Sequence, residues 1–406
     1  KLSEISQLME QATRVSIYKA AIKKGLSPVE ASRESRESTV DFARRGASPV
    51  IRDINSMTAF FNASLQAADK MGRTFKKDAK GATLKAIMAI TIPSIILYLM
   101  NRDDEEYKEM PRYQKDLFWN IKIGGRYWSI IKPFSYGMIF GALPERFMEY
   151  LDSKDPDTFK GFSKSLYDSL SPVAGDPLSG LFPTAAKPWF ENMVNYSFFR
   201  DRAIVPMSKQ GLMPSEQFGK ADTETVKLLG RILNQSPSKI TNLISGYAGG
   251  LGRYALQVTD AGLTIGRAIK GEPQPKKKPI EISDVPVVKA FALPKPEGSR
   301  SESVQRFYDY KRDIDAYSKT YKRFLQTGER LRAERLREQH PELALVKLFD
   351  NNGRMFSKLD KQIDMITNSS LSEQKKRVEI SRLEKRKTKM AAEVLRQKNS
   401  YMKRKP

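Results

Sequence analysis

The amino-acid sequence predicts an all-α, elongated multi-helix assembly with one small β-hairpin and a C-terminal antiparallel coiled coil. Apolar residues recur three and four apart along most of the chain, punctuated by serine–proline start signals and glycine stops. Only Trp119 to Ile131 has the β-rich arms and paired glycines of a hairpin. Beyond about residue 300 the apolar positions fall into heptads, the repeat of helices that wind on one another.

With 406 residues the chain is long enough for two or three domains, and its 40% hydrophobic content is enough to build their cores. Lysine and arginine number 71 against 47 acids, a net charge of +24, which favours nucleic acid or anionic lipid as a partner. The sequence has no cysteine, which excludes disulfides, thiolate zinc sites, iron–sulfur clusters and cysteine nucleophiles. A single histidine, His340, excludes metal sites built from two or more histidines. No catalytic residue, metal or cofactor is therefore expected, and the chain reads as non-enzymatic. It begins inside a helical pattern and is expected to be a piece of a longer protein.

Residues 1–80 read as N-terminal amphipathic helices. In the first, Ile5, Leu8, Ala12, Val15 and Ile22 share a face and Gly25 stands at the C-terminal cap. Ser27, Pro28 and Glu30 start a second helix with a capping box, which Gly46 ends. Ser48-Pro49 opens a third, lined by Ile51, Ile54, Phe61, Leu65 and Ala68 as far as Gly72.

Residues 81–270 read as an apolar helical domain, dominated by Ala86 to Met100, which carries no charge and has Pro93 at its centre. Lys76, Lys77, Lys80 and Lys85 precede it, and Asp103 to Glu106 come after it. At about 1.5 Å per residue it covers roughly 22 Å, short of the roughly 20 residues of a simple span, so a buried core helix competes with a lipid-facing element. Ile87, Ile90, Ile92, Pro93, Ile95, Ile96, Leu97 and Leu99 are the residues expected to meet a bilayer or a channel wall. The hairpin is next, with Gly124-Gly125 as its turn, then helices near Met138 to Phe147 and from Asp155 to about Leu170, and an irregular Pro-rich passage, 171–188. A second apolar segment, Ile240 to Ile265, has glycines paired four apart, Gly246 with Gly250 and Gly262 with Gly266. Such pairs let helix backbones approach closely, in a soluble core or in lipid.

Residues 271–299 are proline-punctuated and basic and read as an extended linker. Residues 300–406 read as basic coiled-coil helices. Phe307, Tyr310, Ile314, Tyr317, Tyr321, Phe324, Gly328 and Leu331 form one seam, Leu345, Phe349, Asn352, Phe356, Leu359, Ile363 and Ile366 a second, and Ile380, Leu383, Met390 and Val394 a third. Ser370 and Glu373 are expected to cap the last helix. This quarter of the chain holds 28 basic and 15 acidic residues.

Asp103 to Glu106 fits an acidic first turn of a helix better than a cation site. His340 before Pro341 reads as a cap. Gly124-Gly125-Arg126 and Gly249 to Gly252 match no phosphate-loop pattern. The run Arg382, Lys385, Arg386, Lys387 and Lys389, with the tail Lys403, Arg404 and Lys405, is the best footprint for DNA or anionic lipid, against the plainer reading of a solvated helix face.

Several passages together carry a family resemblance: Gly25-Leu26-Ser27, Val40-Asp41-Phe42, Ala59 to Ala63, the apolar run, the hairpin, Lys132-Pro133-Phe134, Pro144-Glu145-Arg146, and Ser236-Pro237 with Gly246 and Gly249-Gly250. In this order they resemble the large polyvalent-protein-associated domains of very long bacteriophage and prophage proteins, over roughly residues 1 to 270. Ser135 departs from the glutamate expected after Pro-Phe. The resemblance implies an internal virion or ejection protein of a short-tailed phage: helical, homo-oligomeric, packaged with DNA in the capsid, and moving to the host envelope on ejection. Its implied partners are other ejection proteins, portal or inner tail-tube proteins, packaged DNA and the host membrane. A soluble head- or portal-associated scaffold and a DNA-binding module without membrane contact are the competing readings. In the favoured one, Ala86 to Met100 is a conditional element, buried in the particle and exposed to lipid after release.

Overall fold

The computed structural model describes residues 2–37, 48–49, 52, 61–163, 165–166, 185–198, 202–219, 222–269, 288 and 291–404. In chain order the helices are α1 (Leu2–Lys23), α2 (Pro28–Glu37), α3 (Phe61–Lys77) and α4 (Ala79–Ala86), which runs on through a π-helical turn, Ile87–Thr91, into α5 (Ile92–Asn101). Two short helices, α6 (Glu105–Lys108) and α7 (Arg112–Leu117), lead to strands β1 (Phe118–Ile123) and β2 (Arg126–Ile131). After α8 (Phe134–Gly137) a second π turn, Met138–Ala142, enters α9 (Leu143–Ser153). Next come α10 (Lys187–Val194), a two-residue ladder of β3 (Tyr196–Ser197) with β4 (Arg202–Ala203), α11 (Met207–Gln210), α12 (Glu224–Leu233) and α13 (Pro237–Ile269). Four more complete the chain: α14 (Glu302–Gln326), α15 (Arg330–Gln339), α16 (Val346–Thr367) and α17 (Glu373–Arg404). The protein is all-α with a small hairpin; the two-residue ladder is an addition to the single hairpin expected.

Contacts divide the chain into two units, residues 1–85 with 161–273 and residues 86–160 with 274–406. This division differs from the four consecutive segments expected from composition, because the C-terminal helices share a unit with the hairpin. In the first unit α1 packs on α2. Gly25, at φ 84°, turns the chain between them. The expected capping box forms: Glu30 N–H donates to Ser27 Oγ (3.3 Å) and Ser27 N–H to Glu30 Oε2 (3.0 Å). Helix α12 lies on α13, and Asp260 caps it by accepting from the backbone N–H of Glu224 (3.1 Å) and Thr225 (2.8 Å). Gly249, at φ 55° and ψ −137°, breaks α13 into two rods, a backbone state suited to glycine. Gly246 lies against Pro188, where an added Cβ would come within 2.4 Å of its ring, whereas Gly262 faces open space. The surroundings of Gly250 and Gly266 lie outside the described residues, as do 38–47, 53–60, 167–184 and 270–287 of the helices, Pro-rich passage and linker expected above.

In the second unit β1 pairs antiparallel with β2 across Gly124 (φ 59°) and Gly125 (φ 71°), the positive φ pair of a tight hairpin turn. The end of the segment expected to be a linker adds a bridge to β2, with Ser129 N–H donating to the Phe291 carbonyl (2.8 Å) and Leu293 N–H to that of Tyr127 (3.0 Å). The three long C-terminal helices pack around Val304, Phe307, Ile314, Phe349, Phe356, Ala391 and Val394. Phe307, Ile314, Phe349, Phe356 and Val394 are heptad positions, whereas Val304 and Ala391 lie outside the seams read from sequence, and the first seam fails past Phe324. There Gly328 (φ 77°) ends the helix and leaves Leu331 74% exposed. Ser372 rather than Ser370 caps α17, accepting from Lys375 N–H (3.4 Å).

Candidate functional site

Helix Ala79–Asn101 is, among the described residues, the one helix long and apolar enough to cross a membrane, and only 22% of its most apolar window is buried. Its α4 turns lengthen the rod from the roughly 22 Å read from sequence to about 34 Å, comparable with a hydrocarbon core of about 30 Å. The buried side is the polar one. Ser94 is fully buried, and with Ala86, Ile90, Tyr98 and Asn101 it makes the inner face. Ile87, Met88, Ile92, Ile96, Leu99 and Met100 face outward, Ile96 at 51% and Met100 at 74% exposure. Pro93, Ile95 and Leu97 lie half-buried on the flanks. Of the residues expected at a bilayer or channel wall, the fold therefore turns Ile90 inward and offers Ile87, Ile92, Ile96 and Leu99.

Hydrogen bonds fix the inner face. Trp119 Nε1 donates to Ser94 Oγ (2.8 Å), Tyr98 Oη to Asp152 Oδ2 (2.7 Å) and Asn101 Nδ2 to the Asn120 carbonyl (2.8 Å). The π turn has a cause in Pro93. Proline lacks an N–H and its ring collides with the carbonyl four residues back, so the helix widens and Ile92 N–H bonds the Ile87 carbonyl five residues back. The same construction recurs in Met138–Ser153: a π turn closed by Leu143 N–H on the Met138 carbonyl, then Pro144. Leu143, Phe147, Tyr150 and Leu151 are exposed where Ile92, Ile96, Leu99 and Met100 are. The two rods run side by side. Thr91 Oγ1 donates (2.6 Å) to the Phe140 carbonyl, four residues before Pro144 and so deprived of its helical donor. Gly141 permits the approach, since a Cβ there would stand 3.0 Å from Ser94 Oγ and 3.3 Å from Ile90.

Beneath the rods lies an ionic interior. Lys132 Nζ, almost fully buried, donates to Glu145 Oε2 (2.6 Å) and the Lys115 carbonyl (2.8 Å). The Ser94 hydroxyl acts on the same carboxylate, favouring its charged form. Arg146 pairs with buried Asp116 and donates to the Thr158 carbonyl (2.6 Å). Arg112 joins Glu149 and Glu302. Burial pushes the Glu145 carboxyl up to about 7, against the opposing pull of Lys132 and the Ser94 hydroxyl. Burial likewise lowers the ammonium of Lys132. Burial acts to raise Glu149 as well, but Lys115 and Arg112 outweigh it and hold that carboxyl below its ordinary range. The hairpin has the same inverted plan. Its Asn120, Ser129 and Tyr127 face inward, with Gln114 Nε2 donating to Ser129 Oγ (2.9 Å), while Ile123 and Ile130 are exposed. Lys132, Glu145 and Arg146 are the charges of the Lys-Pro-Phe and Pro-Glu-Arg passages, so the residues that carried the resemblance are the interior's anchors. The missing glutamate at Ser135 does not remove a polar role from this corner.

The other sequence candidates are sorted by the fold. Asp104 caps α6, accepting from Glu106 N–H (2.8 Å) and Tyr107 N–H (3.2 Å), and pairs with Lys122; Glu105 and Glu106 occupy the first turn. The His340 ring stacks on Tyr317, centroids 3.7 Å apart, with no side-chain cap bond. Arg382, Lys385, Arg386, Lys389 and Lys403 are exposed on α17. Lys387 is not one of them, a correction to the sequence reading: it is buried, 2.9 Å from Asp360 and over the rings of Tyr308 and Phe356. The side chain of Arg404, and Lys405, lie outside the described residues. Ser94, Asn101, Asp116 and Trp119 were not singled out by sequence. Ser94 and Asn101 carried a signal, polar residues a turn either side of Tyr98 along an apolar stretch, whereas Asp116 and Trp119 carried none.

Rod, hairpin and ionic interior together make a helical domain whose polar and charged side chains are turned inward. Residues 104–288 match the family model of large polyvalent protein associated domain 38. No curated protein and no solved structure matches the chain.

Proposed function

We propose that this protein is a bacteriophage internal virion or ejection protein, packaged in the capsid and helping to form a conduit for genome delivery across the host envelope. The observation that carries the reading is the Ala79–Asn101 rod, apolar and long enough for a bilayer yet with only 22% of its most apolar window buried, its outer face Ile, Leu and Met and its inner face bonded. A core helix of a soluble protein would hide that face; a lipid-facing one presents it. The match over residues 104–288 supports a phage setting, and the net charge of +24 suits confinement with packaged DNA. In this reading the protein acts as a homo-oligomer, with other ejection proteins and portal or inner tail-tube proteins, without enzymatic chemistry or a cofactor.

One observation favours a second reading, a soluble portal- or head-associated scaffold. Ser94, Tyr98 and Asn101 pin the rod to its own unit, so a protein neighbour could cover the outer face instead of lipid. Liposome flotation separates the two. The full chain should float with neutral phosphatidylcholine vesicles and Ile96→Asp should reduce the floated fraction several-fold. A wild-type chain that stays at the bottom of the gradient removes membrane contact and leaves the scaffold.

A further inference from the structure

Helix α17 carries twelve lysines and arginines, and the fold sets two groups of them apart, three in one and five in the other. Lys376, Lys387 and Lys398 recur every eleven residues, three full turns, and all are buried. Lys387 bonds Asp360, and Lys398 bonds Asp157 (3.1 Å) with the Tyr310 ring 3.9 Å away. The second set recurs every seven residues: Lys375, Arg382, Lys389, Arg396 and Lys403. All five are exposed. Their acidic neighbours do not neutralise them, since Arg382–Glu379 (3.6 Å) and Arg396–Glu393 (3.9 Å) are long, solvated pairs and Arg396 is 81% exposed. Cations therefore line one side of a helix at about 10.5 Å intervals over about 42 Å.

We propose that this row is a docking rail for the phosphate backbone of duplex nucleic acid, bound without regard to sequence. The proposal deepens the DNA contact of the ejection reading and rests on it. Length and charge fit a duplex, whose turn of about 34 Å is shorter than the row and whose phosphates pack far more densely than the cations. A membrane surface fits less well. A helix that lies on lipid buries an apolar face in it, whereas the apolar residues Ile380, Ala391, Val394 and Leu395 are spent on the bundle core. Beside the row only Val378 is a large exposed apolar residue on α17. Lysines and arginines spaced along one side of a helix contact phosphates, which carry no sequence information.

The test is fluorescence anisotropy of the full chain with a 30-base-pair duplex of arbitrary sequence, from 50 to 200 mM salt. Replacing all five row residues by Gln should flatten the log–log salt slope by about 4.5, equivalent to roughly 500-fold less salt-induced loss of affinity over that range. Removing five charges elsewhere, by Gln at Lys322, Arg330, Arg332, Arg335 and Arg337, should change the slope by less than one. Should the fivefold variant fail to fold by circular dichroism, Arg382→Gln and Arg396→Gln singly should each lower the slope by about one. Equal effects of row and control sets, or absence of duplex binding, overturn the proposal. So does a row variant that loses only its binding to vesicles with phosphatidylglycerol, which would assign the row to lipid. Flotation on neutral vesicles reports on Ile96 rather than on these cations, so the ejection reading can fail while the rail stands, or the reverse.

Discussion

The pair Lys132 and Glu145 shows what a buried charge asks of its neighbours. Each is costly to desolvate, and Lys132 is held by a second bond, to the Lys115 carbonyl. Removing one partner strands the other. Lys132→Met should lower stability by about 3–5 kcal/mol, and Lys132→Met with Glu145→Leu should recover most of that, read from urea midpoints. Glu145 also makes stability depend on pH. Folding raises its carboxyl from an ordinary 4.5 to about 7, so its contribution is fully present below about pH 4.5 and is lost as the pH rises through 7. The wild type should therefore lose stability relative to Glu145→Gln between pH 5 and pH 7.5; a difference that stays flat across that range refutes the assignment. At this scale the sequence was least legible. Lys387 sits among Lys385, Arg386 and Lys389 and looks like them, and only the approach of Asp360 from another helix sets it apart.

At the scale of elements, periodicity and turn chemistry read well because they are local. The capping box of α2, the Gly124-Gly125 turn and the heptad cores of α14 and α16 all arise from residues within one or two turns of each other. Pro93 and Pro144 were visible too, but not the π turns they impose, since those depend on a neighbour able to satisfy the displaced carbonyl. Thr91→Val should remove the bond to the Phe140 carbonyl and cost about 1 kcal/mol in a denaturant titration. The glycines, alike in sequence, separate in the fold. Gly246→Ala should destabilise by roughly 1–3 kcal/mol through collision with Pro188, whereas Gly262→Ala, in open space within a helix, should stabilise by about 0.5–1 kcal/mol. Paired thermal melts decide it, and similar effects at both positions would show that neither makes a helix contact.

On the scale of the whole molecule, the C-terminal helices are not the separate module that the change to heptads implied. Glu302 meets Arg112, Ser303 N–H donates to Glu109 (3.1 Å), and Arg306 joins Asp155 and Asp157. These pairs lie some 150 to 190 residues apart in sequence, and no periodicity reveals a contact between separate stretches. A fragment ending at residue 290 should thus lose its ordered hairpin although every hairpin residue is present. Limited trypsin digestion should cut that fragment at Lys122 or Arg126 well before the intact chain, and equal protection would show that residues 86–160 stand alone.

The π turns carry a mechanical consequence. Each winds one extra residue into its helix, so each stores a phase offset of about 100° between the helical segments on its two sides. Relaxing Ile87–Thr91 to ordinary pitch would spin α5 about its own axis by that angle relative to α4. Ser94 would swing out of its bonds and the Ile96 edge would sweep round to a new side. Relaxing that single dislocation would reorient the whole apolar edge without unwinding a turn.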